Sequence, residues 1–370
     1  MGIQVEKGSS VDELLKEIVI GGFRRLFLVT GDASFRWFHK KGLVSKLSEV
    51  AEVAQFSGVR PNVTFDYLAD VLLRAESYKP DAILGVGGGS ALDLAKVLAA
   101  YVGQAERPSD YDASVSLARR SVALILVPTT AGTGAEATSF ATAYKGAEKF
   151  SISGNALLCD KSILDPAPVM YAPADQLAAS ALDALTQCIE SIWARSKTQS
   201  SERYAIKGLQ LILENIVNFV RGDFSRTPQM QLGAHLSGHA INISKTTAPH
   251  ALSYHLTMKY GLSHGVAVAS TLGTFIDHHN DIIRAKELSE LDPIRTSMQK
   301  LNALLGLRGP GDGQRFMDTM FTDLGLSKTK DYWPSTSDAV VSWIRSANHQ
   351  RMSNHPVSIE QGKLFQILSK

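Results

Sequence analysis

The stretch Asp81-Ala-Ile-Leu-Gly-Val-Gly-Gly-Gly-Ser90 decides the fold. Its first half is a short apolar run and reads as a buried strand. Its second half is a glycine turn that opens a stretch with helical spacing, Ser90 to Val102, where Leu92, Ala95, Leu98 and Ala99 share a face. Strand, glycine turn and helix in that order suit phosphate binding. The missing Cβ atoms let backbone N–H groups approach phosphate oxygens, and the helix N-terminus favours negative charge. Ser90 stands where the dinucleotide fingerprint has its third glycine, and the turn is not in the first strand–helix unit. A tight turn with no ligand would use the same residues.

Working outward, Arg25-Leu-Phe-Leu-Val-Thr30 is a second buried strand, ending at Gly31, and Ser121 to Val127 is a third, closed by Pro128. Ser10-Val-Asp-Glu13 has the pattern of a capping box, and Val63 to Tyr78 has helical spacing. Strands alternating with helices imply a parallel sheet covered on both faces. After Pro173 the strand signals nearly vanish. Helical periods run over Ala174 to Ser196, Ser201 to Arg221, Gln229 to Ile243, Leu252 to Tyr260 and His264 to His278, and Arg308 to Gly313 reads as a loop. The expected fold class is an N-terminal α/β, Rossmann-like domain, residues 1–165, followed by an all-α domain, residues 166–370. The 370 residues agree with two domains at about 150 each.

Two clusters carry chemistry. Pro128-Thr-Thr-Ala-Gly-Thr-Gly-Ala-Glu136 follows a strand of the same sheet and offers hydroxyls at Thr129, Thr130 and Thr133. Ligands of open α/β sheets bind at the carboxyl ends of strands, so the two loops strengthen each other. In the second half, Asp183 and Gln187 are four apart on a helical stretch and share a face. Asp183 lies in the apolar run Ala178 to Leu185, where a carboxylate is costly unless paired or metal-bound. His250 and His264 are fourteen apart, with Gly261 breaking the chain between them, so both rings can converge. One carboxylate and two neutral imidazoles are a catalytic Zn²⁺ shell with a position left open, and they suit Fe²⁺ as well. Any one of these histidines alone reads as readily as a hydrogen-bonded core residue.

Together these motifs resemble the group III, iron-type alcohol dehydrogenases, which share the dehydroquinate synthase-like fold. The resemblance covers nearly the whole chain. It implies a metal-dependent NAD(P)H aldehyde reductase or alcohol dehydrogenase. Gly87, Gly88, Gly89, Ser90 and Asp93 (with Lys96 beside it) match the family's nucleotide loop, and Thr129, Thr130 and Thr133 its second cofactor loop. Lys149 and Asp165-Pro166 fall where the family has its central hairpin. Gly31 replaces an Asp that the family often has after its first strand, which weakens exclusion of the extra phosphate of NADP. The resemblance implies one divalent ion, Fe²⁺ or Zn²⁺, held by Asp183, His250 and His264. Gln187 stands where the family usually has His and offers an amide oxygen.

Lys245-Thr-Thr-Ala-Pro-His-Ala-Leu-Ser-Tyr254, Gln187, Val29 to Phe35 and Arg351-Met-Ser-Asn-His-Pro356 are similar to the phosphonoacetaldehyde reductase branch. That likeness implies an anionic aldehyde met by Lys245 and Arg351 and reduced to 2-hydroxyethylphosphonate. Hydride is expected from the cleft wall opposite the metal, and a proton through water or His255. His278 and His279 are expected to be exposed, and Cys188 to have no role. A dehydroquinate-synthase-type cyclase that recycles its cofactor is one rival. A nucleotide-binding protein with a decayed metal site is the other, because of Gln187.

Composition narrows the partners. Lys and Arg total 38 against 36 Asp and Glu, a net charge of +2, which gives no footprint for nucleic acid or an anionic membrane. Two cysteines exclude a disulfide framework and favour a reducing, cytoplasmic setting. No apolar run reaches the ~20 residues of a membrane span. Met1 to Ile20 carries four acidic residues, unlike a signal peptide. A homodimer is expected from the resemblance alone.

Overall fold

The computed structural model describes residues 10–60, 63–104, 120–146, 148–285 and 292–369, with side chains at 32–34, 148–149 and 292–293 outside the description. The chain forms two compact units, divided between Pro173 and Ala174. The first unit contains α1 (Ser10–Gly21), β1 (Arg25–Thr30), α2 (Asp32–Lys40), α3 (Leu43–Ser48), β2 (Glu52–Phe56), α4 (Phe65–Tyr78), β3 (Ala82–Gly87), α5 (Gly89–Tyr101), β4 (Ala123–Pro128), β5 (Phe140–Lys145), β6 (Glu148–Ser153), β7 (Lys161–Ser162) and α6 (Pro166–Val169).

Five strands form one parallel sheet in the order β2-β1-β3-β4-β7, while β5 and β6 pair as a separate antiparallel hairpin. The apolar runs read from sequence are its central strands, and every residue of β3 is buried. The strand period of two sorts their side chains onto the two faces. Phe27, Val29, Ile83, Leu124 and Leu126 join one core with α4 and α5. Leu26, Leu28, Leu84, Val86, Ile125 and Val127 join the other with α1, α2 and α3. Each such side chain, fully buried, stabilises the fold by about 1.5–3 kcal/mol. Continuous apolar runs are what a sheet covered on both sides requires.

The unit ends later than Asp165. That residue accepts from the Ser10 backbone N at 3.1 Å and hydroxyl at 2.5 Å, and caps α6 by accepting from Ala167 N at 2.8 Å. It therefore ties α6 to the start of α1. The Ser10 hydroxyl is engaged there, across 155 residues, instead of in the local capping box its sequence suggests.

The second unit is helical: α7 (Ala174–Trp193), α8 (Gln199–Val220), α9 (Thr227–Ser244), α10 (Ala248–Tyr260), α11 (His264–Ala285), α12 (Asp292–Leu305), α13 (Asp312–Asp323), α14 (Ser337–Arg345), α15 (His349–Ser353) and α16 (Gln361–Leu368). Helix α7 packs against α8, α9 and α11 and is buried along most of its length. The expected loop at Arg308 to Gly313 gives way to α13 at Asp312, whose carboxylate accepts from the N–H groups of Arg308 and Gly309 at 2.7 and 2.6 Å. Among the described residues no helix is long and apolar enough to cross a membrane.

Candidate metal centre and cofactor loops

In the first unit, two loops meet at the carboxyl ends of β3 and β4. A Cβ on Gly85 would lie 2.6 Å from Leu126 Cδ2 and 2.8 Å from Ala95 Cβ. Glycine there lets α5 pack close on the sheet. A Cβ on Gly89 would lie 3.0 Å from Thr133 Cγ2, and one on Gly88 would touch Thr130. The glycine turn thus leaves a backbone surface facing the two threonines, and Gly87 O accepts from Thr129 N at 3.0 Å. The Thr129 hydroxyl is buried with no hydrogen-bond partner among the described residues. Gly31 precedes α2 in extended conformation. Ser90 lies in the first turn of α5, partly exposed.

Asp93 also makes contacts within the fold. Its Oδ2 accepts from Thr142 N at 2.9 Å and its Oδ1 lies 3.5 Å from Lys96 Nζ, so it ties α5 to the hairpin strand β5. Lys96 is fully buried. Its ammonium donates to Ala135 O at 2.9 Å, Thr138 Oγ1 at 2.7 Å and Phe140 O, holding the end of the threonine loop. Burial pulls its pKa down, against the charge of Asp93. Sequence reading placed Lys96 beside Asp93 in the nucleotide loop, and a lysine inside the apolar helix Leu92–Ala100 is itself a signal. The Lys149 side chain lies outside the described residues.

The second unit builds a centre from three helices. On α7, Asp183, Gln187 and Glu190 recur at helical spacing, and all three are buried. The chain leaves α9 through Lys245, which has φ +58°, and enters α10 with a proline in its first turn. Thr247 there donates its backbone N–H and its hydroxyl to Glu190 Oε1, both at 2.8 Å, and accepts from Trp193 Nε1 at 3.0 Å. This brings His250 onto the carboxylates. Its Nδ1 donates to Glu190 Oε2, and its Nε2 stands 3.4 Å from Asp183 Oδ1. A histidine whose Nδ1–H is held by a carboxylate presents the Nε2 lone pair to a metal.

His264 opens α11. Next to it, a Cβ on Gly265 would fall 1.8 Å from Ala179 O, so only glycine lets α11 come this close to α7. The rings of His250 and His264 are 5.5 Å apart, and one ligand atom each from Asp183, His250 and His264 lie within 4.8 Å of one another. Two buried carboxylates here face one imidazole. Burial opposes a proton on His250, but Glu190 and Asp183 outweigh it and raise its pKa to about 9. A divalent cation balances the same two charges, and the oxygen and nitrogen donors match it in type and number. The residues therefore fit the metal, with Glu190 orienting a ligand.

The profile of the iron-containing alcohol dehydrogenases matches residues 4–166, and that of the family's C-terminal domain matches residues 177–325. The chain belongs to the iron-containing alcohol dehydrogenase family. A phosphonoacetaldehyde reductase of Streptomyces viridochromogenes is 31% identical over 71% of this chain and 65% of its own length. The chain thus spans less than two thirds of that relative. Long-chain-alcohol dehydrogenase 1 of Geobacillus thermodenitrificans is 28% identical over 71% of this chain and 68% of its own. An iron-containing alcohol dehydrogenase from Thermococcus thioreducens superposes with a TM-score of 0.85 at 19% identity, covering 99% of this chain and 96% of that one. A sulfoacetaldehyde reductase from Bifidobacterium kashiwanohense, solved with NAD⁺, gives 0.78 at 21%, covering 100% and 98%. These two likenesses fix the iron-containing alcohol dehydrogenase fold.

Against that family pattern, the other expected site residues divide. Gln187 is buried on the metal face of α7, and its Oε1 accepts from Ser237 Oγ at 2.8 Å. Arg351 donates to Thr246 Oγ1 and lies over the Tyr254 ring at 5.8 Å. Tyr254 in turn stacks on His264, 6.2 Å between centroids at 18°. Lys245 is exposed and donates to Asn242 O at 3.0 Å. His255 stands apart from the cluster. Its Nδ1 pairs with Ser346 Oγ at 2.9 Å and its ring meets Tyr260. His279 is fully buried, contrary to the exposure expected of it, because Trp193 of α7 and His355 pack on its ring. Cys188 is buried, and burial pushes its thiol pKa up. Glu190 and Tyr254 are the residues that sequence reading left without a role. Their signal was spacing: seven from Asp183, and four from His250.

Proposed function

We propose that this chain is a metal-dependent NAD(P)H aldehyde reductase, working reversibly as an alcohol dehydrogenase on small aldehydes that carry an anionic group. Phosphonoacetaldehyde, reduced to 2-hydroxyethylphosphonate, is the leading candidate. The observation that carries this reading is the convergence of Asp183, His250 and His264 beside Tyr254 and Arg351.

When bound, the divalent ion supplies Lewis-acid polarisation of a carbonyl, and the nicotinamide supplies the hydride. The chain's own residues do the rest. Asp183, His250 and His264 hold the ion, and Gln187 offers an amide oxygen on the same face. Glu190 keeps His250 in the tautomer that presents Nε2. Tyr254 and Arg351 form a wall with a fixed cation, suited to a phosphonate or sulfonate by charge-assisted hydrogen bonds. The loops at Gly87 to Ser90 and Thr129 to Thr133 hold the cofactor's phosphates and ribose, with Asp93 and Lys96 keeping them in place. Gly31 leaves room for NADPH as well as NADH. The proton passes through water or His255, whose Nδ1 is held by Ser346 Oγ while its Nε2 has no hydrogen-bond partner among the described residues. A cytoplasmic homodimer, with no nucleic acid or membrane partner, completes the reading.

The test is an NADH and NADPH oxidation screen of protein loaded with Fe²⁺ or Zn²⁺, over phosphonoacetaldehyde, sulfoacetaldehyde and neutral aldehydes. Net cofactor consumption, highest with an anionic aldehyde, is expected. Substrate turnover without change in the NADH band would show a cyclase that recycles its cofactor.

A further inference from the structure

His279 on α11 and His355, just beyond α15, form a second buried imidazole pair, away from the metal ligands. Their Nε2 atoms are 2.9 Å apart, and neither side chain is more than 1% exposed. One ring donates and the other accepts. Both Nδ1 atoms are buried with no hydrogen-bond partner among the described residues. His279 meets Trp193 edge-on at 4.8 Å, and His355 packs on Phe275 at 5.1 Å. Burial pushes the pKa of His279 well down and that of His355 to about 3, so the pair is neutral. Two polar rings with unmet nitrogens cost more to bury than an apolar pair of the same volume. What they provide is direction, because a hydrogen bond fixes one chain's position on another.

The chain so fixed is the one that carries Arg351. Asn354, next to His355, donates its side-chain amide to Ser244 O at 2.8 Å and Thr246 O at 3.0 Å. Its Oδ1 accepts from Ser196 N and Oγ at 3.1 and 2.7 Å, and its backbone O accepts from Arg195 N at 2.9 Å. Asn354 and His355 thus pin this turn to the end of α7, to the link between α9 and α10, and to α11. Arg351, one helical turn earlier, is held on Thr246 and over Tyr254.

We propose that the His279–His355 bond, together with Asn354, is a positioning latch that fixes Arg351 beside the metal ligands and so makes the enzyme favour aldehydes with an anionic group. It rests on the substrate reading given above. Neither histidine touches substrate; both act through Arg351.

The experiment compares the wild type with H355L and H355Q, all metal-loaded. Steady-state kinetics are measured on phosphonoacetaldehyde, sulfoacetaldehyde and acetaldehyde, and amide hydrogen exchange is followed over residues 348–356. In H355L, KM for both anionic aldehydes is expected to rise about tenfold or more, the loss of one charge-assisted arginine contact. kcat, and KM for acetaldehyde, should stay within about twofold, and exchange should quicken only in this turn. H355Q, which keeps a donor for His279, should restore most of the difference. If H355L does not fold, H355F and H279F, which keep a ring of similar volume and remove the hydrogen bond, carry the same comparison with H355Q as the rescue. Equal changes for all three aldehydes, or an anion preference that survives H355L, overturn the latch alone. A wild type with no preference for the anionic aldehydes overturns the substrate reading and the specificity role with it.

Discussion

Glu190 and His250, sixty residues apart in the chain, are joined by a buried hydrogen bond from the imidazole Nδ1 to the carboxylate Oε2. The same carboxylate accepts twice from Thr247, so it positions the whole entry of α10 as well as the ring. Its removal should therefore act on the metal before it acts on the fold. Glu190→Gln keeps the volume and loses the charge that steadies the ligand. Metal affinity should fall about 10- to 100-fold, read by competition with a chromogenic chelator. An unchanged affinity in a folded variant would remove Glu190 from the metal centre.

Proton release should accompany metal binding. Without metal, His250 holds a proton up to about pH 9. Near pH 7, binding should expel about one proton, and near pH 10 almost none. Calorimetry in buffers of different ionisation enthalpy measures this directly. The same shift affects the metal-free fold. A histidine whose folded pKa lies above its unfolded value near 6.5 stabilises fully below that value and loses the contribution as pH rises through about 9. The Tm of metal-free protein should thus fall between pH 7 and 10, while that of the loaded protein should not follow it.

Gly265→Ala places a methyl group 1.8 Å from Ala179 O, a backbone atom that cannot swing aside. Helix α11 must then retreat from α7, taking His264 with it. The substitution should cost about 1–3 kcal/mol or more and lower the metal content. Full metal occupancy at wild-type Tm would refute the close approach. His264→Ala, which removes a ligand without overpacking, should abolish turnover and leave NAD(P)H binding intact.

Arg351→Ala should raise KM for phosphonoacetaldehyde well above its effect on acetaldehyde, by about tenfold or more. Lys245→Ala should do far less, because that side chain is exposed and bonded to Asn242 O. The reverse order would return the anion site to Lys245.

Lys96→Met leaves Ala135 O, Thr138 Oγ1 and Phe140 O without their buried donor and Asp93 without its cation. The variant should lose about 3–5 kcal/mol of stability and bind NAD(P)H more weakly, read by fluorescence titration. Normal cofactor affinity at reduced stability would make Lys96 a purely structural residue.

Much of this was legible because it depends on short-range periodicity. β3 and β4 read as strands because both their faces are buried, which demands continuous apolar runs. Asp183 and Gln187 could be placed on one face because a helix repeats every 3.6 residues. The same arithmetic stopped at Glu190 and Tyr254, where nothing local separates a buried, bonded polar side chain from a solvated one. The exposure expected of His279 failed for that reason: the apolar packing around it comes from α7 and the turn at His355.

The sequence by itself determined the central strands, the main helices and the candidate metal ligands, because strand and helix periods and the donor types of Asp and His are local properties. It also limited the partners, since a net charge of +2 and two cysteines depend on no geometry. Only the tertiary structure decided which side chains face one another. It put Glu190 behind His250, Arg351 over the ring stacked on His264, and His355 on His279. Contacts across 60, 76 and 105 residues come from packing the helices together, and no period within one segment encodes them.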